Sequence, residues 1–277
     1  MRELRGGQGP EQSSIGVIEA VAVNHWYESS GEIFKALQDL NFAVGRNEFV
    51  CLLGPSGCGK STFLKIVAGL ITPSRGEVRL HGHRITGPGL NRGIVFQEPA
   101  LFPWLTVVAN VEFGLVMGGW KKAAARERAQ HVLEIVGLGK CSSWYPYQLS
   151  GGMKNRAAVA RAWALKDADL LLMDEPFSGA DAITRVTLQD HLMKTWQAEP
   201  RTVLFVTHDV EEAVYLADRI VVFTPSPGRL GDDLEVSLPR PRNRDDPEMS
   251  ALKSKITSFM HKLALGQKSA EGDSGQH

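Results

Sequence analysis

The sequence predicts an α/β fold with a mainly parallel core sheet, on three observations. The apolar run VCLLG (50–54) leads straight into a glycine-rich loop that a helical pattern follows. In the last third of the chain, apolar runs of strand length alternate with helical stretches, as in a parallel sheet covered on both faces. Between these regions, from about 107 to 137, a long helical pattern interrupts the strands and reads as an inserted helical subdomain.

The elements follow in order. Residues 1–16 are polar and read as a flexible tail, as do residues 265–277, which leaves a folded domain over 17–264. VIEAVAVNHWY (17–27), ALQDLNFAV (36–44) and NEFVCLLG (47–54) read as three strands separated by turn-like segments. KSTFLKIVAGL (60–70) has helical periodicity ending at Gly69, and GEVRLHG and RGIVFQ are two further short strands. The helical subdomain spans about 98–156, with the charged KKAAARERAQHVLEIVGL at its centre. DLLLMDEP (169–176), RTVLFVTHD (201–209) and DRIVVFTP (218–225) return to strand, separated by helices over 182–198 and 210–217. The amphipathic stretch 247–264 predicts a last helix whose default is to pack on the core.

Composition narrows the function. Lys plus Arg and Asp plus Glu both total 31, so the formal net charge is zero and gives no support to nucleic-acid binding. Three cysteines, Cys51, Cys58 and Cys141, without metal-ligand spacing predict buried thiols in a reducing compartment. The N-terminal stretch has no apolar signal region, and no apolar run approaches membrane-spanning length. The expectation is a soluble cytoplasmic protein whose membrane role, if any, runs through a partner.

Gly54-Pro55-Ser56-Gly57-Cys58-Gly59-Lys60-Ser61 fits G-x-x-x-x-G-K-[ST], with Thr62 next. The glycines let successive backbone N–H groups curl around phosphate oxygens, and the following helix adds its positive end. Lys60 can reach the β- and γ-phosphates and Ser61 can ligate Mg²⁺. Asp174 ends an apolar strand, where a carboxylate can hold the Mg²⁺ shell, and Glu175 beside it can orient or deprotonate an attacking water. The alternative is an acidic pair that marks a strand end. His208, after TVLFVT, can hydrogen-bond a γ-phosphate or be a satisfied structural histidine. Gln97, after GIVF, can contact Mg²⁺ or the lytic water, or be a polar strand end.

LSGG (149–152) is a second glycine-rich helix start. Ser150 can cap the helix, and Gly151 and Gly152 permit close backbone approach of an anion. An ordinary capped helix is the plainer reading, but it leaves two glycines in a first turn where glycine is a poor helix former.

This ordered set, GPSGCGKST, Gln97, LSGG, LLLMDEP, Asp181 and His208, resembles the ATP-binding-cassette (ABC) ATPases over roughly residues 17 to 240. The resemblance implies a P-loop NTPase with an antiparallel β subdomain, a parallel core and the inserted helical subdomain. It also implies a head-to-tail homodimer in which each ATP lies between the phosphate loop of one subunit and the LSGG helix of the other. Carried over, Lys60 and the amides of residues 54–62 hold the phosphates, and Ser61 and Asp174 organise Mg²⁺. Gln97 links Mg²⁺ and water to the transmembrane partner. Glu175 becomes the catalytic carboxylate and His208 the γ-phosphate switch. Ser150, Gly151 and Gly152 contact the γ-phosphate across the dimer. Tyr27, or less readily Trp26, stacks on adenine, and Asp181 couples the two sites. Two departures stand out: Ser178-Gly179-Ala180-Asp181 replaces the usual Gly- or Ser-Ala-Leu-Asp, and Asn155-Arg156 replaces glutamine-arginine.

ALFPWLTVVANV (100–111), SPGRL (226–230) and LPRPRNRDDPEM (238–249) are similar to the nitrate/sulfonate/taurine importer branch, whose features pyrimidine and aromatic-acid importers share. That similarity makes Trp104 either a docking residue for the membrane subunit or a core anchor. The expectation is the ATPase subunit of a membrane importer for a small anion. It would sit peripherally at the cytoplasmic face of the inner membrane, with permease subunits and, indirectly, a solute-binding protein. A cytosolic cassette acting on a non-transport partner is the alternative.

Overall fold

The computed structural model describes residues 16–272. The tail expected over 1–16 lies outside them except for Gly16, as do 273–277 of the tail expected at the C-terminus.

Strands β1 (Ile18–Ser29) and β2 (Glu32–Val44) pair as an antiparallel hairpin. Its two turn residues, Ser30 and Gly31, have φ of 53° and 83°, the left-handed pair that matches strand twist in a two-residue hairpin loop. β3 (Phe49–Leu53) is fully buried and delivers the glycine loop, after which α1 (Lys60–Ala68) runs to a left-handed cap at Gly69. β4 (Arg75–Leu80) and the short β5 (His83–Arg84) complete a four-stranded sheet in the order β2-β1-β4-β5.

The second sheet begins with β6 (Arg92–Val95). The helical insertion follows as α2 (Val107–Met117), α3 (Lys122–Ile135) and α4 (Gly151–Ala164), the last running past the expected boundary at 156. Asn110, fully buried, holds the loop before α2: its Oδ1 accepts from Phe102 N at 2.7 Å and its Nδ2 donates to Leu105 O at 3.0 Å. β7 (Leu170–Asp174), α5 (Ala182–Ala198), β8 (Thr202–Thr207), α6 (Val210–Leu216) and β9 (Arg219–Phe223) then alternate. The order β10-β9-β3-β8-β7-β6 is parallel throughout except for β10 (Leu230–Glu235), an antiparallel edge.

Alternate residues of these strands enter two cores. Phe49, Cys51, Leu171, Met173 and Phe205 pack with the helices of the insertion, while Val50, Leu52, Leu172 and Leu204 pack with α1 and the antiparallel sheet. Burial on both faces is why these strands read as unbroken apolar runs.

The sequence reading missed β5 and β10. LGDDLE carries no apolar alternation, and Arg219 on β9 holds it instead by donating to Asp233 Oδ1 and Oδ2 at 2.5 and 2.8 Å. Helix α7 (Pro247–Gly272) extends beyond the expected end at 264, so the backbone of 265–272 is helical where a flexible tail was expected. Its buried Met249 and Ile256 join the larger core, as the amphipathic pattern suggested. Of the cysteines, Cys51 and Cys58 are buried, whereas Cys141 is only half-buried.

Candidate functional site

Gly54, Asp174, Gln97 and His208 all lie at or just beyond the C-terminal ends of β3, β7, β6 and β8. That edge is where open parallel sheets bind ligands.

In the phosphate loop, Pro55, Ser56 and Gly57 form an exposed crest above the half-buried Ser61 and Thr62. Gly59 has φ of 99°, and a Cβ there would lie 2.5 Å from Ala36 O, so β2 supports the loop at a position that only glycine fits. The buried Lys60 folds over this loop, its Nζ donating to Gly54 O at 2.7 Å and Pro55 O at 2.9 Å. Burial pushes the Cys58 thiol up despite the nearby Lys60 ammonium, so Cys58 is a neutral packing residue.

Ser61 Oγ donates to Asp174 Oδ1 at 2.7 Å. Burial, with Glu175 alongside, raises the Asp174 carboxyl above its ordinary range, against the opposing pull of the Ser61 hydrogen bond. A partly desolvated carboxylate beside a hydroxyl is a hard-oxygen pair that fits Mg²⁺. Among the described residues no group of three or more His, Cys, Asp or Glu can hold a metal. A Mg²⁺ ion here would therefore complete its shell with phosphate and water oxygens, its usual mode.

Glu175 has φ of 43°, a left-handed backbone that costs a non-glycine residue about 1–2 kcal/mol. Its N–H donates to Val206 O at 3.1 Å, so β8 helps hold the strained turn. The turn sends its carboxylate to His208, whose Nδ1 donates to Glu175 Oε2 at 3.0 Å. The Glu175 side chain is 18% exposed and the His208 ring 54%.

Ser150 caps α4 by accepting from Met153 N at 3.3 Å. The two glycines behind it differ. A Cβ at Gly152 would stand 3.0 Å from Thr184 Cγ2, so packing against α5 accounts for that residue, while a Cβ at Gly151 would meet nothing. Both glycines share a groove of about 500 Å³ with Gln97, Asn155 and the segment Ser178–Ala180, and no residue of the phosphate loop lines it. Arg156 instead donates to Val136 O at 3.1 Å, tying α4 to α3.

Asp181 caps α5, accepting from Thr184 Oγ1, Thr184 N and Ile183 N at 2.7, 3.0 and 3.1 Å. The Thr184 hydroxyl and amide hold its carboxyl below the usual carboxylate range. Tyr27 stands beside the phosphate loop, its hydroxyl 3.2 Å from Thr62 Oγ1 and its half-exposed ring edge-on to His25. Trp26 instead lies under the Arg75 guanidinium at 5.8 Å. Trp104 is 70% exposed next to Phe102, which removes the core-anchor reading.

Three features went unseen in the sequence. Gly228 N donates to Ala36 O at 3.0 Å, and a Cβ on Gly228 would lie 2.1 Å from Cys58 O, so SPGRL supports the phosphate loop from below. The arginines of LPRPRNR point inward: Arg242 Nη1 donates to Val214, Tyr215 and Ala217 O at 2.8, 3.1 and 2.6 Å, capping α6. Burial lowers the Arg242 pKa to about 10. The third is Glu212, buried behind His208, which an acid on the apolar face of DVEEAV would have signalled.

A second cavity of about 400 Å³, lined by Arg46, His81, Arg128, Lys166 and Arg201 among others, lies at the opposite ends of the strands, away from this chemistry. No described helix is long and apolar enough to cross a membrane.

Comparison with known proteins agrees with this geometry. The ABC transporter family profile matches residues 37–178. An uncharacterised ABC transporter ATP-binding protein of Methanocaldococcus jannaschii is 48% identical over 234 residues, covering 84% of this chain and 87% of its own. The aliphatic sulfonates import ATP-binding protein of Bacillus licheniformis is 44% identical, covering 79% of this chain and 85% of its own. The nitrate import ATP-binding protein of Synechocystis sp. is 43% identical, with 81% and 88% covered. Among solved structures, a dimeric ATP-binding cassette in a post-hydrolysis state, bound to ADP and Pi, aligns with a TM-score of 0.70 at 31% identity, covering 80% of this chain and 99% of that one. With a glycine-rich loop, an acidic strand end and His208 on one sheet edge, the chain belongs to the ABC transporter family of ATP-hydrolysing, ATP-binding subunits.

Proposed function

We propose that this chain powers a membrane importer for a small anion such as nitrate, a sulfonate or taurine. It would act as a homodimer, peripheral at the cytoplasmic face of the inner membrane, on permease subunits fed by a solute-binding protein. One observation carries the reading. The chain holds two phosphate-type helix starts, and the groove at Gly151 and Gly152 contains Gln97 but nothing of residues 54–62. Each start then completes the other's site only in a second copy. The anion class rests on relatives named for sulfonate and nitrate import.

In this reading the loop amides and Lys60 hold the β- and γ-phosphates, and Tyr27 stacks on the adenine. Ser61 and Asp174, with Gln97 at the margin, hold Mg²⁺, which when bound neutralises charge on the phosphate oxygens. Glu175 takes a proton from the attacking water as the new P–O bond forms and the bond to the ADP oxygen breaks. His208, oriented through Nδ1 by Glu175, presents Nε2 to the γ-phosphate. Ser150 and Gly151 close the site from the partner, with Gly152 both facing the anion and packing on Thr184. Asp181 joins the two sites through the α5 cap. Trp104 belongs to the surface that meets the permease.

Uptake assays test the transport claim. A strain lacking this chain should lose uptake of one of nitrate, sulfonates or taurine and recover it with the wild-type gene. Unchanged uptake of all three would remove the anion class. Separately, Tyr27→Ala should weaken ATP affinity by about 5–50-fold, on the order of one lost base–aromatic stack, measured by fluorescent-nucleotide titration. Unaltered affinity would remove the adenine assignment.

A further inference from the structure

The mechanism above leaves unused the more deeply buried of the two buried acids among the described residues. Glu212, on α6 one turn beyond His208, is 5% exposed. Its Oε2 accepts from Thr207 Oγ1 at 2.5 Å, and its Oε1 accepts from Gln189 Nε2 on α5 at 3.1 Å. The Thr207 hydroxyl in turn accepts from Asp209 N at 3.0 Å. One hydroxyl thus spans the backbone on both sides of His208, and its rotamer is set by Glu212. Asp209 is tied to the same helix by Arg185, whose Nη1 lies 3.4 Å from Asp209 Oδ2 and whose Nη2 donates to Ala180 O at 3.2 Å.

The chain of bonds continues outward. Gln189 Oε1 accepts from Arg244 Nη2 at 3.0 Å, and since guanidinium only donates, this fixes which way the Gln189 amide faces. Arg244 also donates to Asp190 Oδ1 at 2.9 Å and stacks 3.6 Å from the centre of the Tyr215 ring, whose hydroxyl donates to Asp190 Oδ1 at 2.7 Å. Burial raises the Glu212 carboxyl, against the pull of its Thr207 and Gln189 hydrogen bonds. An acid kept at such a desolvation cost without these partners would be replaced at little loss by an apolar side chain.

We infer that Glu212 is a positioning residue for ATP hydrolysis: through Thr207 and Gln189 it fixes the turn carrying His208 against α5, with Arg244 orienting the Gln189 amide. The inference rests on the reading of His208 as the γ-phosphate group. A turn that is free to rotate moves His208, and with it Glu175, out of line, and misplacement on the 1 Å scale costs catalysis more than binding.

The test uses the full-length chain, with steady-state ATPase kinetics and amide hydrogen exchange on Glu212→Ala, Thr207→Val, His208→Ala and the double variant Glu212→Ala/His208→Ala. Thr207→Val keeps the β-branched shape and removes only the hydroxyl, so it carries the test if Glu212→Ala folds poorly. Glu212→Ala and Thr207→Val should each lower kcat by about 10-fold or more with KM for ATP within about 2-fold. Each should speed exchange of the Asp209 amide by about 10-fold or more while the β8 amides stay protected. In the His208→Ala background, Glu212→Ala should cost little further turnover, as expected for residues acting through one another. Wild-type kcat in either single variant, even with a lowered Tm, would overturn the inference, as would unchanged Asp209 exchange or an undiminished loss in the double variant. If His208→Ala itself keeps wild-type turnover, the reading of His208 fails and the inference falls with it. If His208→Ala loses turnover and Thr207→Val does not, the inference alone fails.

Discussion

Glu175→Gln should bind ATP with near wild-type affinity and turn over at least about 100-fold more slowly, the lower range for loss of a general base. The substitution is nearly isosteric, so it preserves the shape of the turn and an oxygen acceptor for the His208 Nδ1 proton. It removes the negative charge that would accept the water proton. The carboxylate pairs with His208 at 3.0 Å and not with the phosphate loop. Binding and chemistry are therefore separable at this residue. The same substitution removes a charge next to Asp174, whose carboxyl Glu175 helps to raise, so metal binding should not suffer. Because ATP persists unhydrolysed, the variant should accumulate as an ATP-bound dimer on size exclusion. Wild-type turnover would end the assignment of Glu175; lost ATP affinity would mean that it shapes the binding site instead.

Lys60→Ala should weaken ATP binding itself, by about 10- to 100-fold, the range of a lost hydrogen bond to a charged group. The Lys60 ammonium is held among the Gly54 and Pro55 carbonyls at the centre of the loop. Its burial means that little water screens its attraction to a phosphate that enters. The variant should stay folded, since α1 is anchored by Phe63, Leu64 and Val67 and not by Lys60. Nucleotide titration with circular dichroism as a control separates the two effects. A folded variant with undiminished affinity would contradict the phosphate-loop reading.

Much of this was legible in the sequence because the informative patterns are local. The strands β3, β7 and β8 announced themselves as apolar runs because both faces of their sheet are covered. The phosphate loop, Asp174 and Glu175 are each fixed by a few adjacent residues at a strand end. What was not legible depends on partners distant in the chain. Glu212 draws its meaning from Gln189 on another helix, and Gly152 draws part of its meaning from Thr184. Arg240 and Arg242 of LPRPRNR look like a basic surface until α6 and its C-cap supply the carbonyls that they cap. β10 is held by Arg219 and not by apolar alternation, so periodicity had nothing to detect. Asp181 is a different case: the run Asp-Ala-Ile-Thr carries an N-cap signal in plain view, which the resemblance to a coupling acid overshadowed. Trp104 needed the structure to choose between its two readings, and its exposure chose the surface.

The central claim is that each ATP site is shared between two chains, so complementation between two inactive chains tests it most directly. Ser150→Arg places a bulky side chain at the start of α4, and Lys60→Ala disables the phosphate loop. Each homodimer then carries one lesion in both of its sites. A mixed dimer of the two chains has one site bearing both lesions and one bearing neither. Equal mixtures, assayed for ATPase activity at constant total protein, should reach up to about a quarter of wild-type turnover, because half of randomly paired dimers are mixed and each has one intact site. An equal mixture no more active than the separate variants would contradict shared sites and return Ser150, Gly151 and Gly152 to the role of an ordinary helix start.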